Sequence, residues 1–163
     1  MKTSALMLTI AVCVLAISIS SPALAQKPTV KVYTHNQLLQ MEQQLRDKQD
    51  KSKGLASQTL DTNEIRKTIL VTRDKDGQAE MHAKASDFFV VVEGNATLVF
   101  GGRMLNPKSL QNGESLGDSV KGGTSIKLGR GDIVQIPPNI PHQLLIQTGK
   151  TFTYFILKLQ MHS

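Results

Sequence analysis

Two stretches decide the reading of this chain: DKDGQAEMHAKASDFFVVVEG at residues 74–94 and GDIVQIPPNIPHQLLI at residues 131–146. Each holds one histidine, His82 or His142, close to a run of strand-forming residues. Glu80 and His82 are two apart, so on a strand both side chains leave the same face. Asp87 follows at the entrance to residues 88–92, which are apolar throughout, the pattern of a strand buried on both faces. His142 leaves the Pro137-Pro138-Asn139-Ile140-Pro141 corner and opens a strand on which His142, Leu144 and Ile146 point one way. Neutral imidazoles over an apolar floor, with carboxylates nearby, are the raw material of a first-row metal site. Spacing alone leaves a second reading open, in which the two histidines are unrelated core or rim residues held by local hydrogen bonds.

Outward from these stretches the signals are those of short strands and turns. Residues 69–71 form a β run, and Asp76-Gly77 after it is a tight-turn dipeptide. Glu93-Gly94-Asn95 turns the chain and residues 96–100 return it. Residues 126–128, the Gly129-Arg130-Gly131-Asp132 turn and residues 133–136 make another strand pair. Residues 142–147, Gly149-Lys150 and residues 152–159 make a closing hairpin. Many short strands punctuated by glycine predict an all-β sandwich or barrel. Between the halves, residues 101–123 are rich in Gly, Asn, Ser and Lys and read as a loop that shapes a pocket mouth or covers an edge. Upstream, residues 36–50 read as a lead helix, with Leu38, Met41 and Leu45 on one face and Asn36 as its cap.

The two stretches resemble the paired motifs of the cupin superfamily, small double-stranded β-helix barrels. The first motif runs Gly, five residues, His-x-His, three or four residues, Glu, six residues, Gly. Reading back from Gly94, Asp87 falls at the Glu position, His82 at the second His, Glu80 at the first, and Asp74 where the opening Gly stands. The second runs Gly, five residues, Pro-x-Gly, two residues, His, three residues, Asn. Gly131, Pro137 and His142 match it, while Asn139 replaces the Gly and Ile146 the Asn. Asn is the residue after Gly that best tolerates a left-handed corner. The resemblance covers residues 65–159 and implies an all-β cupin barrel behind a short N-terminal helix. It further implies a divalent metal (Mn, Fe, Ni or Zn) on His82, Asp87 and His142, with Glu80 a further ligand or a general base. Glu80 in place of a histidine turns the usual three-His, one-Glu set into two His and up to two carboxylates. A second register, with His82 and Lys84 as the histidine pair, leaves one residue too few before Asp87. Lys84 is expected to be solvated.

The ends and the composition set the rest. Lys2, the apolar stretch of residues 6–19 and Ala23-Leu24-Ala25 have the form of a signal peptide cleaved before Gln26. Its core is shorter than the ~20 residues of a spanning helix, so no stable membrane anchor is expected after cleavage. Secretion or export to a periplasm follows. Cys13 is the only cysteine and leaves with this segment, so the mature chain has no disulfide, thiolate ligand or cysteine nucleophile. The net charge of +6 is spread among acids and the chain has no Trp, unlike a nucleic-acid face. His35 and His162, near the ends, are expected to be solvated. Asn95-Ala96-Thr97 and Arg130-Gly131-Asp132 match a glycosylation and an adhesion tripeptide, each explained as well by a turn. No Gly-x-Ser-x-Gly elbow and no phosphate loop is present. The expected organisation is a signal peptide at 1–25, an arm and lead helix at 26–60 and a barrel at 61–163. A metal-dependent oxygenase, decarboxylase or isomerase acting on a small oxygen-rich molecule is one expected function. A non-catalytic ligand-binding barrel is the other. The resemblance also implies a homodimer.

Overall fold

A capping box starts the first helix. Thr34, in an extended conformation, accepts the Gln37 backbone N–H on its hydroxyl at 3.3 Å, and the Gln37 side chain accepts the Thr34 backbone N–H at 2.8 Å. The helix, α1, therefore runs His35–Asp47, with Thr34 rather than Asn36 as its cap. Leu38, Leu39, Met41 and Leu45 pack with Leu70 and Val92, so α1 covers the outer face of a sheet. This computed structural model describes residues 30–161; residues 1–25, read above as a signal peptide, and His162 lie outside them. Val32–Ser163 forms one compact unit, and it is the one described below. Among the described residues no helix is long and apolar enough to cross a membrane.

Thirteen strands follow: β1 (Leu55–Thr62), β2 (Arg66–Arg73), β3 (Ala79–His82), β4 (Ala85–Gly94), β5 (Ala96–Phe100), β6 (Arg103–Leu105), β7 (Lys108–Ser109), β8 (Glu114–Gly117), β9 (Ser119–Lys121), β10 (Thr124–Leu128), β11 (Ile133–Ile136), β12 (His142–Leu145) and β13 (Phe152–Gln160). One sheet has the order β1-β2-β13-β4-β11, the other β10-β5-β12-β3-β8-β7, and β6 pairs with β9. The two larger sheets share one core. Val71, Phe89, Val91, Phe152 and Tyr154 come from the first, and Ala96, Leu98, Leu128 and Leu144 from the second. Burying each such side chain contributes about 1.5–3 kcal/mol. The sheets face one another without closing into a continuous hydrogen-bonded barrel.

The turns fall where the sequence places them, but they do different work. Asp76-Gly77, Gly94-Asn95, Gly129–Asp132 and Gly149-Lys150 each carry the chain from one sheet to the other, so none of them closes a hairpin. Local residues determine that a chain turns. Which strand it then pairs with is decided by burying two apolar faces against each other. At Gly94 the corner is tight: φ is +84° and a Cβ would lie 2.1 Å from the Thr151 carbonyl oxygen. The neighbouring Asn95 is thus in a sheet-to-sheet corner, and Gly131 lies in a turn where Asp132 accepts the Gly129 N–H at 2.8 Å. Strand structure begins at Leu55, ahead of the apolar signals, because β1 is a polar edge strand that pairs along β2. Residues 101–123 are likewise not a plain loop; they hold β6, β7, β8 and β9.

Candidate metal centre

Three cross-strand pairs build the site. Glu80 stands opposite His142, His82 opposite Glu114, and Asp87 opposite Lys158. Strand alternation carries Glu80 and His82 to one face of β3, as their two-residue spacing predicts. The proline corner then delivers His142. Asn139 takes φ +63° there, and its N–H donates to the His82 carbonyl at 2.9 Å, which locks the corner to the strand it must meet.

Donor atoms of Glu80, His82 and His142 all lie within 4.8 Å of one another. His82 Nε2 is 3.8 Å from Glu80 Oε2 and 3.1 Å from Asp87 Oδ2, and His142 Nε2 is 3.9 Å from the same Asp87 oxygen. Both imidazoles are held by their other nitrogen: His142 Nδ1 donates to the Ile140 carbonyl at 3.0 Å, and His82 Nδ1 is hydrogen-bonded to Glu114. That arrangement directs both Nε2 atoms at the same space, the device by which a metal-binding imidazole is oriented. His82, Asp87 and His142 are all buried, while Glu80 keeps 37% of its side chain exposed.

The electrostatics follow from these contacts. Burial alone disfavours the His82 imidazolium, but the Asp87 hydrogen bond and the charges of Asp87 and Glu114 outweigh it and raise its pKa. His142 goes the other way. Burial dominates and lowers its pKa, despite the Ile140 carbonyl and Glu80. Asp87 is pushed up by burial, yet His82 and Lys158 more than offset this and hold it below the usual carboxylate range.

These residues fit a divalent ion. Two imidazole nitrogens and carboxylate oxygens are a first-row donor set, and the buried Asp87 Oδ1 has no hydrogen-bond partner. One residue opposes it: Lys158 Nζ lies 3.0 Å from His82 Nε2, 3.4 Å from Asp87 Oδ1 and 3.8 Å from Glu114 Oε1. The structure thus brings together Glu80, His82, Asp87 and His142, and leaves His35 and Lys84 exposed elsewhere. Glu114 and Lys158 are site residues that the sequence reading missed. Lys158 left a signal, a lysine two residues after Ile156 on the strand face that also carries Phe152 and Tyr154. Glu114 left none, sitting in the Gly-, Ser- and Asn-rich stretch.

A cavity of about 160 Å³ adjoins the cluster, lined by Glu80, Asp87 and His142 and by Val71, Phe89 and Ile156 among others. No protein-family profile matches the chain, and no curated protein matches it. Solved structures do. KdgF from Halomonas sp. is 14% identical with a TM-score of 0.50, over 71% of this chain and 86% of its own. The DMSP lyase DddQ from Ruegeria pomeroyi DSS-3 is 16% identical with a TM-score of 0.49, over 68% of this chain. A cupin-superfamily sugar phosphate isomerase from Silicibacter pomeroyi is 18% identical with a TM-score of 0.47, over 66% of this chain and 60% of its own. The chain spans about half the length of the lyase, 49%. Facing antiparallel sheets with the two histidine stretches meeting between them define a cupin fold. At 14% identity the likeness to KdgF speaks to the fold alone.

Proposed function

We propose that this protein is an exported small-molecule cupin. It holds a divalent metal ion through Glu80, His82 and His142, with Asp87 as a fourth donor, through a carboxylate oxygen, and acts on a small oxygen-rich molecule bound in the adjoining cavity. The observation that carries this reading is the convergence of Glu80, His82 and His142 donors within 4.8 Å, with Glu80 and His142 on the cavity wall. When bound, such an ion polarises a ligand oxygen. The chain's own groups do the rest: the Ile140 carbonyl and Glu114 hold the two imidazoles, and the apolar wall excludes water. Export rests on the leader at residues 1–25. Pairing of two copies is part of the proposal, and sedimentation equilibrium reads it.

One observation favours a second reading. Lys158 already places a cation beside His82 and Asp87, which suits a metal-free, non-catalytic binding protein. Elemental analysis of the mature protein, with Glu80→Gln beside wild type, separates the possibilities. Metal lost with Glu80→Gln marks a ligand, and metal kept with turnover lost marks a base. Metal absent from both, after incubation with Mn, Fe, Ni or Zn, leaves the binding protein.

A further inference from the structure

Arg73 ends β2 with its side chain inside the sandwich, 7% exposed, on the wall of the cavity that Glu80 and His142 also line. Its Nε is buried with no hydrogen-bond partner. Arg46, Lys53, Arg66, Arg130 and Lys158 each pair with a carboxylate, and Arg73 pairs with none among the described residues. Its neighbours are Gly77 and Tyr154, whose ring centroid is 5.8 Å from Cζ and whose neutral hydroxyl is hydrogen-bonded to the guanidinium without supplying a counter-charge. A Cβ at Gly77 would sit 2.2 Å from Arg73 Nη1, so glycine at this corner makes the room that the guanidinium occupies. The corner is itself pinned, since Gln143 Nε2 donates to the Gly77 carbonyl at 2.8 Å.

An arginine keeps its charge in proteins, and a buried charge without a counter-ion is strongly destabilising. Such a residue persists where something else brings the anion. A guanidinium offers two parallel N–H donors that match a carboxylate. The rest of the wall, with Leu55, Ile69, Val71, Phe89 and Ile156, suits a short carbon skeleton. At about 160 Å³ the cavity is below the ~300 Å³ where drug-sized pockets begin, which suits a ligand of a few carbon atoms.

We infer that Arg73 is the anion-binding end of this cavity and that the ligand is a small organic acid, its carboxylate on Arg73 and its other oxygens directed to the Glu80, His82 and His142 cluster. The second half of that statement rests on the metal reading above; the first does not.

The test is binding of succinate, malate and 2-oxoglutarate, against succinamide, malamide and inorganic phosphate, to Zn-loaded and to EDTA-treated protein. Calorimetry gives affinities, thermal denaturation gives stability, and elemental analysis gives metal content. At least one acid should bind wild type better than the amides and phosphate do. Arg73→Gln should weaken that acid by about tenfold or more, the loss of one charged hydrogen-bonding partner, with metal content unchanged. Free of ligand, Arg73→Gln should melt at the wild-type temperature or above, because an unpaired buried charge has been removed. Acids no better than amides or phosphate, or acid binding untouched by Arg73→Gln, would overturn the inference, as would a variant that keeps acid binding per folded molecule but melts far lower. Acid binding through Arg73 in a protein that takes up no metal would instead remove the metal reading and leave the anion site.

Discussion

Asp87 and Lys158 stand directly opposite each other on β4 and β13, which brings Lys158 Nζ to 3.4 Å from Asp87 Oδ1 and to 3.0 Å from His82 Nε2. An ammonium there competes with a metal ion for the same lone pairs. At an effective dielectric of about 20, two charges 4 Å apart interact by about 4 kcal/mol, and solvent relaxation leaves a fraction of that. Lys158→Met is therefore expected to tighten Zn binding by about tenfold or more, the equivalent of 1.4 kcal/mol. Competition against a chromophoric chelator measures it. Weaker binding in Lys158→Met would mean that the lysine supports the site instead of contesting it.

Glu114 orients His82 from behind. Glu114→Gln keeps the shape but weakens the acceptor of the His82 Nδ1 proton, and loss of such a partner typically costs 10–100-fold in metal affinity. The same chelator assay should show that loss with the melting temperature nearly unchanged. An affinity within twofold of wild type would remove Glu114 from the site.

Metal affinity should rise with pH. The His82 pKa is raised by Asp87 and Glu114 against the opposing effect of burial, so the imidazole holds its proton to higher pH than a free histidine. A metal that takes Nε2 must displace that proton. Affinity then falls as pH drops through and below the raised value, by about tenfold per pH unit for each proton displaced, and flattens above it. Calorimetry in buffers of different ionisation enthalpy should count protons released near neutral pH; none released would contradict the assignment of His82.

Stability and site should separate. Leu70 is fully buried between the first sheet and α1, so Leu70→Ala should cost about 2–5 kcal/mol in urea unfolding while metal affinity of the folded protein holds. Asn139 is different, because its φ of +63° serves the site. Asn139→Gly should be nearly neutral, whereas Asn139→Ala should lose about 1–2 kcal/mol and loosen metal binding as well.

Much of this arrangement was legible in the residues. The apolar run of β4 reads as a strand buried on both faces; Phe89 and Val91 are buried in the core between the sheets and Val92 under α1, while Phe88 and Val90 are only half-buried. The separation of two between Glu80 and His82, and the Asn at the proline corner, predict geometry that the strands realise. The helix starts one residue earlier than the apolar spacing suggests, because Thr34 and Gln37 form a capping box that the spacing does not reveal, and it ends at Asp47, three residues short of the expected 50. Strand partners were not legible, since a tight turn looks the same whether it closes a hairpin or crosses between sheets. Glu114 was hidden for the same reason. Its place beside His82 depends on β8 adding to the far side of β3, a long-range pairing that no local pattern encodes.

The central claim is that Glu80, His82 and His142 hold a divalent ion, and titration of Zn into metal-free wild type and His142→Ala tests it most directly. His142 brings its Nε2 from a different strand than the other two donors and leaves most of the core untouched when removed. The account predicts one ion per chain in wild type and binding at least about a hundredfold weaker in His142→Ala, with both proteins folded. Equal, sub-stoichiometric binding in the two would contradict it.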